Sequence, residues 1–368
     1  MKKTLTGAFR IFGSVVCISA LTICAAVLPF SCSTDDGVVA GTDKALSDSA
    51  PPMLLSFKVL DSKSVKFTFS EAVTLGNVTL TDSDEKSFLV DSSCIHMSED
   101  KTSAEIAIEG GTEVGKSYVL KSLVADSFGN TMELEQNFIG FNEKKARIVL
   151  SEVRNKPSAN SSEPLKSKVE YVEFYVLDGG NLFGLELKLG YYAKSYKFPS
   201  IDVSSGERVV LHLRSYGTPS MGFVDELGSD LEKSTAQDSS SARDLWFQNT
   251  SSVITQNDVV VLVDNYTGLA VDGLMSATSG KESWSRKNQS QLASLLVSSG
   301  VWSSDSTEAA VVSDNSTAAR TLSRQNLALV AEAYSKNPDA VVPVATSDWI
   351  VASKATPGEE NSTLVYSK

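Results

Sequence analysis

Few residue types in this chain could do chemistry. There are two histidines, His96 and His212, and four cysteines, Cys17, Cys24, Cys32 and Cys94. A histidine acting as general base needs a partner within hydrogen-bond reach, and the sequence around neither one suggests it. His212 lies in ERVVLHLR, out of phase with Leu211 and Leu213 on a strand pattern, which points to a structural role. No cysteine–histidine group has zinc spacing, and no GxSxG elbow, P-loop or dinucleotide fingerprint occurs. Carboxylates are plentiful, and Glu170 and Glu173 in VEYVEFYV come nearest to a glycosidase-like pair. Their odd spacing on a strand sends them to opposite faces. One is expected to cap a strand end, the other to be solvated or bonded to loop amides. DSFGN (126–130) and DNYTG (264–268) hold oxygens that calcium could use. Calcium takes six or more oxygens, and Asp, Asn and Gly are also what β-turns require, so turns are expected. No catalytic residue, cofactor or metal ligand is predicted.

The elements that carry these residues begin with an address. Lys2, Lys3 and Arg10 precede an apolar run from Ile11 to Phe30, the basic and apolar regions of a secretory leader. The run is also long enough for an uncleaved anchor helix. Cys32 favours cleavage, because a small residue, Ser31, stands just before it and Leu28 four before. This resembles the relaxed lipobox of spirochaete lipoproteins. The resemblance implies a leader over 1–31, lipid attachment at Cys32, a flexible Ser/Asp-rich tether over 32–52, and contact with a membrane through the lipid anchor. Cys94 would then be the one thiol left, and no disulfide could form within the mature chain.

The formal net charge is −12, and losing Lys2, Lys3 and Arg10 takes it to −15. Nucleic acid binding usually needs a basic face, and no Lys/Arg cluster supplies one. No nucleic acid partner is expected.

From 53 to 142 the pattern is period two. In SVKFTFSEAV, Val65, Phe67 and Phe69 alternate with Lys66, Thr68 and Ser70. LLSFKVL, GNVTLTD, KSFLVD, AEIAIEG, KSYVLKSLVAD and TMELEQNFIGF repeat the theme. About seven short strands with turns between them predict an immunoglobulin-like sandwich. FTFSEAV and GKSYVLKSLVADSFGN resemble bacterial Ig-like domains of surface-layer proteins. FNEKKAR (141–147) reads as a short, stiff joint.

A second β pattern fills 146–368. RIVLSEVRNKPS, VEYVEFYVLDGGNLFGLELKLG, YKFPSIDVSSGERVVLHL, NDVVVLVDNYTGLAVDGL, RTLSR and SDWIVASKATPGEEN resemble, in that order, a lamin-tail domain. The resemblance implies a second Ig-like β-sandwich. Two inserts lengthen it, 214–244 and about 275–318. Leu292, Leu295 and Leu296 predict one short helix, and a second is expected before Asn337-Pro338. The fold class is therefore all-β, two sandwiches in tandem with one or two short helices.

The function expected is a lipid-anchored, non-catalytic binding or adhesion module of the bacterial cell envelope. Its partner would be an unidentified protein or glycan of the envelope. A passive spacer or scaffold is the alternative, and an accessory part of an envelope hydrolase is a further one. Long loops in compact domains are usually functional or disordered, and the inserts carry Tyr216, Phe223, Trp284 and Trp302. These four are the expected partner contacts.

Overall fold

Period-two alternation becomes strand along most of the chain. The computed structural model describes residues 48–158, 167–215, 221–234, 242–338 and 340–367. Cys32, the leader and nearly all of the tether lie outside them, as does Tyr216. No helix among the described residues is long and apolar enough to cross a membrane.

The first half holds β1 (Leu54–Val59), β2 (Ser64–Phe69), β3 (Thr74–Leu75), β4 (Thr79–Asp82), β5 (Ser87–Leu89), β6 (Ile95–Met97), β7 (Ser103–Ala107), β8 (Ser117–Ala125) and β9 (Thr131–Ile139). One sheet runs β1-β2-β7-β6; the other joins β9, β8, β3, β4 and β5. In β2 the side chains of Val65, Phe67 and Phe69 are buried and Lys66 is exposed, so the alternation aims one face inward. The core shared by both sheets packs Phe57 at a tilt against Phe67 at 4.9 Å and stacks Tyr118 on Phe138 at 5.5 Å. Burying a phenylalanine side chain contributes about 2–3 kcal/mol, and this core stands without a disulfide, since Cys94 is free. The short strands β3 and β6 come in addition to the seven expected.

The second half holds β10 (Arg147–Arg154), β11 (Tyr171–Asp178), β12 (Gly180–Asn181), β13 (Leu185–Leu189), β14 (Lys194–Lys197), β15 (Asp202–Val203), β16 (Arg208–His212), β17 (Arg243–Trp246), β18 (Asp258–Asp264), β19 (Ala270–Ala277), β20 (Val311–Val312), β21 (Leu322–Arg324) and β22 (Trp349–Val351), with helices α1 (Lys287–Ser298) and α2 (Leu327–Lys336). A six-stranded sheet, β17-β16-β11-β10-β21-β22, and a five-stranded sheet, β14-β13-β18-β19-β20, enclose one core. The architecture is all-β with two short helices.

The second insert holds the expected helix, α1, and the first adds a strand that its sequence did not announce. All seven residues of β18 are buried. Helix α1, inside the second insert, covers its outer side and buries Gln289, Ala293 and Leu296. The approach is close at Gly273, where an added Cβ would lie 2.6 Å from a Leu296 methyl and 2.7 Å from the Val260 carbonyl. The end of the first insert forms β17, which runs parallel to β16. The described parts of both inserts thus add layers to the fold.

The joint is tied to both neighbours. Asn142 Nδ2 donates to the Asn181 and Phe183 carbonyls at 2.9 and 2.7 Å. Phe141 packs on Tyr266 at 5.2 Å, and Glu143 accepts from Ser62.

Candidate functional site

The six-stranded sheet turns its apolar face to the core and a polar one outward. Its ladder aligns Arg154, Tyr171, His212 and Trp246 side by side across four strands. Arg154 lies over the Tyr171 ring at 4.7 Å, and His212 stacks on Trp246 at 4.1 Å. His212 Nε2 is 2.7 Å from Asp244 Oδ1, with both residues buried. This is the partner the sequence did not reveal. It lies 32 residues away, on the strand that ends the first insert.

The same insert seals the dyad. Phe223 packs edge-on against Trp246 at 4.8 Å. Trp246 Nε1 donates to Ser234 Oγ, the Trp246 amide to Asp225, and the Asp244 amide to Glu226. Burial raises the pKa of Asp225 and Glu226, so these carboxylates hold protons more readily than usual.

Glu170 and Glu173 are bonded to different residues. Glu170 accepts from Arg214 and Ser252. Glu173 Oε1 accepts from Ser151 Oγ and Arg208, and Oε2 from the Gly358 amide at 2.6 Å. Glu152 stands opposite Glu173 and accepts from Thr321 and from the Thr356 amide and hydroxyl. Both carboxylates are fully buried. Burial pushes Glu173 up to about 7, with Arg208 opposing and Glu152 adding to the rise. With their oxygens engaged and water excluded, the pair anchors the closing segment around Thr356-Pro357-Gly358.

The turn motifs behave as turns. Asp126 accepts from the Phe128 and Asn130 amides and from Asn130 Nδ2. Asp264 accepts from the Tyr266 amide and pairs with Lys145. Asp48 and Glu71 bring a carboxylate oxygen each near Asp126, too few for calcium by themselves.

Of the expected partner contacts, the three among the described residues pack into the fold. Trp302 is 4% exposed and donates from Nε1 to the Gly273 carbonyl. Phe223 is 3% exposed. Trp284 packs partly buried on the core and donates to the Asp305 carbonyl. All three anchor their own inserts, because aromatic area left in water is better buried. Among the described residues of the first insert, the large apolar side chains that stay exposed are Met221 and Leu227.

Among solved structures, the chain is similar to the N-terminal part of the bacterial S-layer protein SbsC, at 15% identity over 62% of this chain and 44% of that one, with a TM-score of 0.24. It is similar also to a DUF4876 family protein from Bacteroides thetaiotaomicron VPI-5482, at 11% identity over 70% and 84%, with a TM-score of 0.30. Neither likeness carries a functional argument. An uncharacterized protein of Treponema pallidum (strain Nichols) is 31% identical over 167 residues, covering 44% of this chain and 39% of that relative's length. The family profile TP_1001_2nd, protein second domain, matches residues 146–351, more than half of the chain, and the chain belongs to that family.

Proposed function

We propose that the protein is a lipid-anchored, non-catalytic component of the bacterial cell envelope, whose two sandwiches present surface loops to a protein or glycan partner. One observation carries the reading. The groups best placed for acid–base chemistry, His212 with Asp244 and Glu152 with Glu173, are buried and spent on holding an insert and the closing segment. A general acid or base must reach its substrate. Lipid attachment at Cys32 rests on the apolar run and the small residue before it. Fatty-acid labelling of the wild type, lost in Cys32→Ser, is the expected result. Labelling that survives the substitution removes the anchor from the proposal. Turnover of a hydrolase substrate, abolished by Glu173→Gln in a protein that still folds, overturns the non-catalytic part.

The second reading, a spacer, is favoured by the joint. Asn142, Phe141 and Glu143 bond to both sides of it, as a rigid strut requires. Recovery of no partner from envelope extracts favours it over the binder.

A further inference from the structure

The open side of the first sandwich, where β5 hands over to β6, holds a cleft of about 450 Å³. Its floor is apolar, formed by Leu80, Val90, Ile108 and Tyr118, with the half-buried Cys94 beside them. Phe88 and Leu89 stand at its lip, 55% and 66% exposed. Strand β5 pairs with β4 alone. The Val90 amide bonds to Val78 and the Asp82 amide to Lys86. By antiparallel alternation Phe88 then turns its backbone groups toward Leu80, and Ser87 and Leu89 turn theirs to the outer edge. Among the described residues nothing pairs there. An edge strand with unpaired amides and exposed apolar side chains is a template for another strand.

Charge selects the occupant. Asp82, Asp91, Glu109 and Glu113 line the cleft against Lys86 and Lys116. Lys116 is already held by Asp82, Asp84 and Glu113 at 2.9, 2.9 and 3.2 Å. A second copy would bring the same acidic rim and a net charge of −12, and like charges at an interface suppress pairing. We propose that the cleft receives an extended basic segment of another protein, added as a strand to β5. An apolar side chain fills the cleft, and lysine or arginine faces Asp91 and Glu109. Backbone pairing supplies affinity and the cleft supplies selectivity.

The full chain is titrated with an acetylated, amidated peptide, Lys-Val-Thr-Phe-Thr-Val-Lys, and with its counterpart carrying glutamate at both ends. Iodoacetamide modification of Cys94, followed by peptide mapping, reports occupancy of the cleft. The basic peptide is expected to slow Cys94 alkylation and to bind at least about tenfold tighter than the acidic one. Leu89→Pro deletes one outward amide, a change edge strands tolerate, and should weaken binding about tenfold, the worth of one good hydrogen bond. Glu109→Lys, on an exposed side chain that leaves the fold intact, should weaken the basic peptide similarly. The proposal is overturned by equal binding of both peptides, by binding that leaves Cys94 alkylation unchanged, or by no binding of either up to about 1 mM. Self-association abolished by Leu89→Pro also overturns it and makes a second copy the occupant.

Discussion

Glu152 and Glu173 face each other across β10 and β11, and each is capped by a different backbone amide of one segment, Thr356 and Gly358. Two like charges placed together inside a protein cost stability unless each is hydrogen-bonded or paired. Here Arg208, three hydroxyls from Ser151, Thr321 and Thr356, and the two amides supply the compensation. Pro357 has no amide to donate, so the segment presents its donors on either side of a rigid residue.

Acid should stabilise the second core through Glu173. Its pKa is raised by burial from 4.5 to about 7, so the folded chain binds this proton more tightly than the unfolded one. The contribution is full below pH 4.5, declines as pH rises to about 7, and is constant above. The range is worth about 3 kcal/mol. Asp258, raised by burial to about 7, acts in the same sense. Urea midpoints across pH 4.5–8 should show this slope in the wild type, and Glu173→Gln should flatten it. An unchanged slope in the variant refutes the assignment.

Removing the His212 ring should loosen the insert rather than abolish an activity. His212→Ala loses the stack on Trp246 and the bond to Asp244, a cost of about 2–4 kcal/mol. Denaturant unfolding followed by tryptophan fluorescence measures it. A loss below about 1 kcal/mol would mean that the dyad does not hold the insert.

Gly273 sets how near α1 can sit. In Gly273→Ala the new methyl meets Leu296 and the Val260 carbonyl, and such overpacking costs about 1–3 kcal/mol. Leu296→Ala in the same chain should recover part of that loss, because the side chain in the way is gone. A double variant no more stable than the sum of the single changes predicts would mean that the two positions do not meet.

The β architecture was legible because period two survives in β2, where Val65, Phe67 and Phe69 all enter the core. Helix α1 was legible from Leu292, Leu295 and Leu296, and the end of α2 from Asn337-Pro338. The polar face was not. His212 meets Asp244 only through a parallel strand at the end of an insert that carries no apolar alternation. Glu152 meets Thr356 across 204 positions. Such pairs leave no local period, because each is specified by the register of strands far apart in the chain. The aromatics of the inserts were visible, and their direction was not. A tryptophan in a Ser/Asp-rich stretch reads the same whether it faces a partner or its own core. The unbroken apolar run VVVLV of β18 was the available sign that a layer had to cover its second side.

Because synthesis runs from the N-terminus, Glu152 and Glu173 emerge long before Thr356 and Gly358, the latter 185 positions after Glu173. Until Thr356 and Gly358 leave the ribosome, this half of the protein contains two acid groups without their amide caps. A product cut short before Thr356 would lose both amide caps, leaving the pair to Arg208, Ser151 and Thr321 alone, and would fold poorly. Proteases that sample unfolded chains would then have a direct means of telling a chain that has reached this segment from one that has not.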